Sequence, residues 1–205
     1  MGSENLNVAG TGTGERIPDE ESLIRLCRVG DEAAREELVH VHSGRVFRIA
    51  FHLLGDYEAA LDVVQDSFVR LFQAISRIDP KRGASAWLNR VAVNLVIDRL
   101  RKKQRNGAEV ALRGETRGPD REPSEIAERE SLKRDVWKAL GVLPEKYRVA
   151  LVMREIEGMP SKEVAKAMGC NEATARWRVH KARRLFKEVW EREGGFDRYP
   201  IGEET

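Results

Sequence analysis

Along "ATARWRVHKARRLF", residues 173–186, Arg176, Trp177, His180, Lys181 and Arg184 fall on one side of a 3.6-residue period. Ala175, Val179 and Ala182 fall on the other. The outer set carries the chemistry a major groove selects: guanidinium forks that pair with guanine edges, and cations that neutralise phosphates. From Thr174 to Lys187 there are six Arg or Lys and no acid, which separates this helix from an ordinary solvated basic face.

A second constellation lies in "RGASAWLNRVAVNLVIDRLRKKQR", residues 82–105. Trp87, Leu88, Val91 and Leu95 suit an interior, whereas Asn94, Asp98 and Arg101 lie near one line, and the preceding "RIDPKRGAS" supplies Lys81, Arg82 and Gly83. Residues 77–105 carry a net charge of +7. An amide, a basic loop and flanking cations can hold unpaired bases and track their backbone. Taken alone, the segment fits equally a helix whose Asn94 bonds a neighbouring helix and whose Arg/Lys end only keeps the chain in solution.

The third constellation is acidic. In "YEAALDVVQDSFVRLFQAI", Val64, Phe68, Leu71 and Phe72 form an inward stripe, and Asp62, Gln65 and Asp66 form a polar ridge with Val69 at its edge. Residues 56–66 carry a net charge of −4. Such a ridge can receive a basic helix of a partner protein or simply face water. Two basic stripes and one acidic face point to two kinds of partner.

These residues need helices to position them. Apolar positions recur at steps of three and four from Asp19 through Leu23, Ile24 and Cys27, then from Leu38 to Leu53, then from Ala60 to Ile75. Helical pattern resumes at Ser124, a candidate cap, and runs to Leu140, and Pro144 suits the first turn of the next helix. In "SKEVAKAMGCNEATARWRVHKARRLF", Ser161 can cap a short helix, Gly169 supplies a left-handed turn and Asn171 caps a long helix, the layout of a helix-turn-helix. No alternating strand pattern is sustained. The expected fold is all-α: two small helical domains, 19–103 and 125–192, joined by a Gly- and Pro-containing flexible linker, 104–124, with a disordered tail 1–18 and a C-terminal tail 193–205.

The 205 residues, with 41% apolar content, suffice for compact cores. No apolar run is long enough to span a bilayer, and the N-terminus lacks a basic start followed by an apolar run, so a cytoplasmic protein is expected. Cys27 and Cys170 are far apart and fit a reducing compartment. His40 and His42 cannot share a helical face, and Asp62 and Asp66 lack a third carboxylate, so no metal site, cofactor, catalytic residue or small-molecule substrate is expected.

Together, "ALDVVQDSFVRLF", "AWLNRVAVNLVIDRLRKKQR" and "LPEKYRVALVMREIEGMPSKEVAKAMGCNEATARWRVHKARRLF" resemble, in that order, the bacterial RNA polymerase sigma factors of the extracytoplasmic-function group of the sigma-70 family. The resemblance covers about residues 19–103 and 125–190. It implies a non-catalytic specificity subunit that binds core RNA polymerase through its clamp helices and flap. Such a subunit directs promoter recognition, promoter opening and transcription initiation on DNA that is partly duplex and partly single-stranded. Asp62, Gln65 and Phe68 match the stretch associated with clamp docking. Asn94 matches the residue associated with a flipped minus-ten base, and Lys81, Arg82 and Arg101 accompany it. Arg176, Trp177, His180, Lys181 and Arg184 fall where the family reads the minus-thirty-five element. The family more often has a small polar residue at Trp177 and a β-branched one at Ala175. An anti-sigma partner is a further implication. The competing readings are a duplex-operator regulator, which leaves the acidic ridge and basic loop unexplained, and a nucleic-acid enzyme, which lacks its carboxylate cluster or nucleophile.

Overall fold

The computed structural model describes residues 19–105 and 123–198. All regular structure among them is helical. The N-terminal half comprises α1 (Glu20–Arg28), α2 (Glu32–Leu54), α3 (Tyr57–Ala74) and α4 (Ser85–Arg105). The first three begin at aspartates that precede apolar periodicity. Asp19 accepts from the Ser22 N–H at 2.7 Å, Asp31 from Ala34 at 2.8 Å and Asp56 from Ala59 at 2.8 Å. A cap such as that of Asp31 is worth about 1 kcal/mol. Gly55, at φ 63°, ends α2 where a side chain would be strained, and α3 starts two residues later.

The long α2 packs on α1, α3 and α4, and its inward stripe of Leu38, Val46, Ile49 and Leu53 is wholly buried with Ile24, Leu71, Leu88 and Val96. In α3 the fully buried member of the adjacent Val63–Val64 pair is Val63. Val64, expected inward, is only half-buried, because the side of α3 centred on Ala60, Val63, Ser67 and Leu71 meets the core.

The C-terminal half contains α5 (Pro123–Val142), α6 (Glu145–Leu151), a π turn (Val152–Ile156), α7 (Ser161–Ala167), α8 (Glu172–Arg192) and the short α9 (Gly195–Arg198). Pro144 and Pro160 precede α6 and α7 as their N-caps, so Ser161 is the first helical residue and makes no side-chain cap. The turn between α7 and α8 follows the expected pattern. Gly169 adopts φ 63°, the Cys170 N–H donates to the Ala165 carbonyl at 3.0 Å, and Asn171 accepts from the Thr174 N–H at 2.7 Å. Arg148 is buried and donates to the carbonyls of Gly141 and Leu143, satisfying the end of α5. Loss of hydration lowers its pKa to about 10, partly offset by the nearby Glu145 carboxylate.

The two halves touch. Helix α4 lies against α6 and α7, and α2 meets the π turn. Polar contacts cross this seam: Arg45 with Glu163 at 3.1 Å, His52 Nδ1 with Glu157 at 2.5 Å, and Arg101 with Glu145 at 2.9 Å. The His52 ring also stacks on Trp137 with centroids 5.7 Å apart.

Candidate nucleic-acid and protein-docking faces

On α4 the two asparagines have opposite fates. Asn89 is buried at 3% exposure, whereas Asn94 is exposed. The buried stripe is Leu88, Ala92, Val93, Val96 and Leu100, while the expected Trp87 and Val91 are only half-buried. The stripe is broad because α4 is covered by α2 and α3 and also by α6 and α7. Asn94 and Asp98 thus sit on the side left open, with their polar atoms available.

The loop before α4 is built by tertiary contacts. Asp79 accepts from the Lys81 N–H at 3.1 Å and starts a single 3₁₀ turn, Pro80–Arg82, that leaves Lys81 and Arg82 exposed. Gly83 follows at φ 70° and ψ 173°, a conformation essentially restricted to glycine. A Cβ placed there would lie 2.8 Å from the Glu20 carboxylate. Glu20 accepts from the Ala84 N–H at 2.7 Å, and the same oxygen lies 3.0 Å from His42 Nε2. Arg28 donates to the carbonyls of Ile75 at 3.3 Å and Ile78 at 2.6 Å. Helix α1 therefore grips both ends of the loop. Glu20, Arg28 and His42 were invisible as a group in sequence because they lie 22 to 64 residues from one another's partners. The only local signal was an apolar face on α1 that needed something to cover.

On α3, Asp62, Gln65 and Asp66 are exposed along one ridge. The Arg99 guanidinium stands 3.1 Å from Asp66 and 3.8 Å from Asp62, which fixes the ridge against α4. Phe68, placed on the inward stripe by its spacing and grouped with Asp62 and Gln65 only by the family resemblance, is 5% exposed and belongs to the core beneath the ridge. Beside the acids runs a groove lined by Ser43, Gly44, Phe47, Tyr57, Leu61 and Val64, and Tyr57 and Leu61 are among the exposed large apolar residues.

In α8, Ala175, Val179 and Ala182 are buried, and Arg176, Trp177, His180 and Arg184 are exposed, with Lys181 half-exposed. Acids flanking the basic run partly pair it: Arg176 with Glu172 at 2.9 Å, Arg184 with Glu188 at 3.5 Å, and Arg183 with Glu155 of the π turn at 2.7 Å. All three pairs are solvent-exposed, where an ion pair contributes little and is readily exchanged for a phosphate.

Among the described residues no cluster of three His, Cys, Asp or Glu side chains could hold a metal ion, and no helix is long and apolar enough to cross a membrane. Residues 38–106 match the Sigma-70 region 2 family and residues 133–186 match Sigma-70, region 4. The chain is 33% identical over 164 residues to the ECF RNA polymerase sigma factor SigE of Mycolicibacterium smegmatis, covering 78% of this chain and 63% of that one. It is 30% identical over 181 residues to the ECF RNA polymerase sigma-E factor of Escherichia coli, covering 82% of this chain and 92% of that protein. Its fold resembles that of CnrH in the structure of CnrH with the cytosolic domain of CnrY, with a TM-score of 0.59 and 25% identity over 84% of this chain and 97% of that one. Two matched regions in the family's order, on a helical chain that exposes a helix-turn-helix face and a basic loop-helix face, place this protein among the extracytoplasmic-function RNA polymerase sigma factors.

Proposed function

We propose that this sigma factor divides its work among the three faces just described. The ridge of Asp62 and Gln65, with the adjoining apolar groove, docks on a helical element of core RNA polymerase. Acids beside exposed Tyr57 and Leu61 suit an amphipathic basic helix, which supplies charge and apolar area together. Phe68 supports this surface from below.

Asn94, Lys81 and Arg82 bind the unpaired strand of the downstream promoter element. The observation that carries this reading is the split between the two asparagines of α4: the buried Asn89 serves the fold, and the exposed Asn94 presents its amide on the helix that follows a basic loop held by α1. An amide so placed can bond one base edge, and Lys81 and Arg82 can follow the phosphates. Arg101 joins them after leaving Glu145. Arg176, Trp177, His180, Lys181 and Arg184 enter the major groove of the upstream element.

The role is binding and positioning, carried out with polymerase in the cytoplasm, and catalysis belongs to the polymerase. The region 2 and region 4 units act as 19–103 and 125–192, connected by 104–124; the greater part of that connection and the tail 1–18 lie outside the described residues. An anti-sigma protein that covers both DNA-binding faces is a further expected partner. The test is to mix the chain with bacterial core polymerase and a promoter library. Stable association with selective initiation is expected. Sequence-specific duplex binding by the chain alone, without association with core, would favour a conventional operator-binding regulator.

A further inference from the structure

Trp177 is the one large apolar side chain among the described residues that stands exposed, at 55%, on the groove-facing side of α8. It is held in place: its ring meets Tyr147 of α6 edge to face, with centroids 6.0 Å apart, and Lys146 Nζ lies 5.0 Å from the Tyr147 ring centroid. Tyr147 is itself buried at 9% exposure, so the exposed indole is backed by a fixed ring. Around it on α8 stand Arg176, His180 and Arg184, and one turn earlier the exposed Ala173 leaves room for close approach. A held apolar plate flanked by guanidinium groups and an imidazole suits a surface that is polyanionic at its edges and apolar at one point. In duplex DNA that point is the thymine 5-methyl group, the apolar feature of the major groove.

We propose that Trp177 is a specificity-determining residue that selects thymine at one position, or two adjacent positions, of the upstream promoter element by contact with the 5-methyl group. This rests on the assignment of α8 as the upstream-element reader and adds which base chemistry it prefers. The cations beside Trp177 set affinity and register, and the indole sets the base.

The test uses the full chain bound to core polymerase. Wild-type and Trp177→Ala holoenzymes are each selected against a promoter library randomised upstream. Trp177→Ala is expected to lose the thymine preference at the contacted position while keeping the rest of the profile. Replacing that thymine by deoxyuridine, which lacks only the methyl, should lower wild-type occupancy about fourfold, the value of one buried methyl-sized group. The same replacement should leave Trp177→Ala unchanged. An unchanged selection profile in Trp177→Ala would overturn the proposal. So would an equal deoxyuridine penalty in both proteins, or a loss of core association that is the same for every promoter. A wild-type holoenzyme that selects no upstream sequence would instead overturn the assignment of α8 on which the proposal stands.

Discussion

The two regions proposed to bind DNA are built by opposite means. The face of α8 is a side-chain pattern on one regular helix, complete once the helix forms and α7 supports it. The region that leads into Asn94 is a shape: a 3₁₀ turn, a glycine in a conformation closed to other residues, and the start of α4, held together by contacts from α1. A duplex groove accepts a rod, so a reader of duplex needs only the right residues at the right period. An extruded base has to be enclosed, so its holder needs several chain segments fixed against one another. Substitutions in the first region should act locally and additively. In the second they should act through the loop.

The largest effect is expected at neither proposed DNA face but at the ridge proposed to dock on polymerase. The double substitution Asp62→Ala and Gln65→Ala should weaken core polymerase binding about a hundredfold, the size of a small hot-spot cluster. An unaffected affinity in a pull-down or fluorescence titration would remove α3 from the dock. Next comes Gly83→Ala. Its backbone strain alone costs about 1–3 kcal/mol, and the new methyl meets the Glu20 carboxylate. Promoter opening, followed by permanganate reactivity of the melted strand, should fall by about thirtyfold while upstream duplex recognition persists. Equal loss at both elements would break the contrast between shape and pattern.

Asn94→Ala is expected to spare core binding and reduce selectivity at the downstream element about tenfold, as for one lost base contact. Arg176→Ala should be milder, about fivefold, and should lower the salt slope of upstream binding by about one. The smallest effect concerns the seam between the halves. Arg101, through its hydrogen bond, holds the Glu145 carboxyl below its ordinary value of 4.5. A lowered carboxylate pKa gives a contribution that is complete above the unfolded value and lost as pH falls through the folded one. Acidification below about 4.5 should therefore loosen the contact of α4 with α6, measurable as a fall in fluorescence-transfer efficiency between labels on the two helices, and Glu145→Gln should remove the part of that pH dependence that Glu145 contributes.

What was legible in the sequence follows the same division. The α8 face, the Asn171 cap and the Gly169 turn were readable because period and turn chemistry are local properties. The exposure of Asn94 was readable only as one of two alternatives, since burial of Asn89 and exposure of Asn94 depend on which neighbours cover α4. The misplaced inward residues, Val64, Phe72, Trp87 and Val91, are all half-buried residues at the margins of a correct stripe. Periodicity gives the axis of a buried face better than its edges. Glu20, Arg28 and His42 carry no pattern of their own, and the seam pairs Arg45 with Glu163 across 118 residues, beyond the reach of any local rule.

The π turn at Val152–Ile156 has a consequence for chain length. It closes through the Glu157 N–H on the Val152 carbonyl at 3.0 Å, one residue wider than an α-turn. That surplus residue lets Glu155 reach Arg183 in its own half while Glu157 reaches His52 in the other. Deleting the exposed Ile156 would make the helix locally more regular and turn everything after it by about 100°. The shorter chain would gain a better helix and lose the register by which its two halves meet.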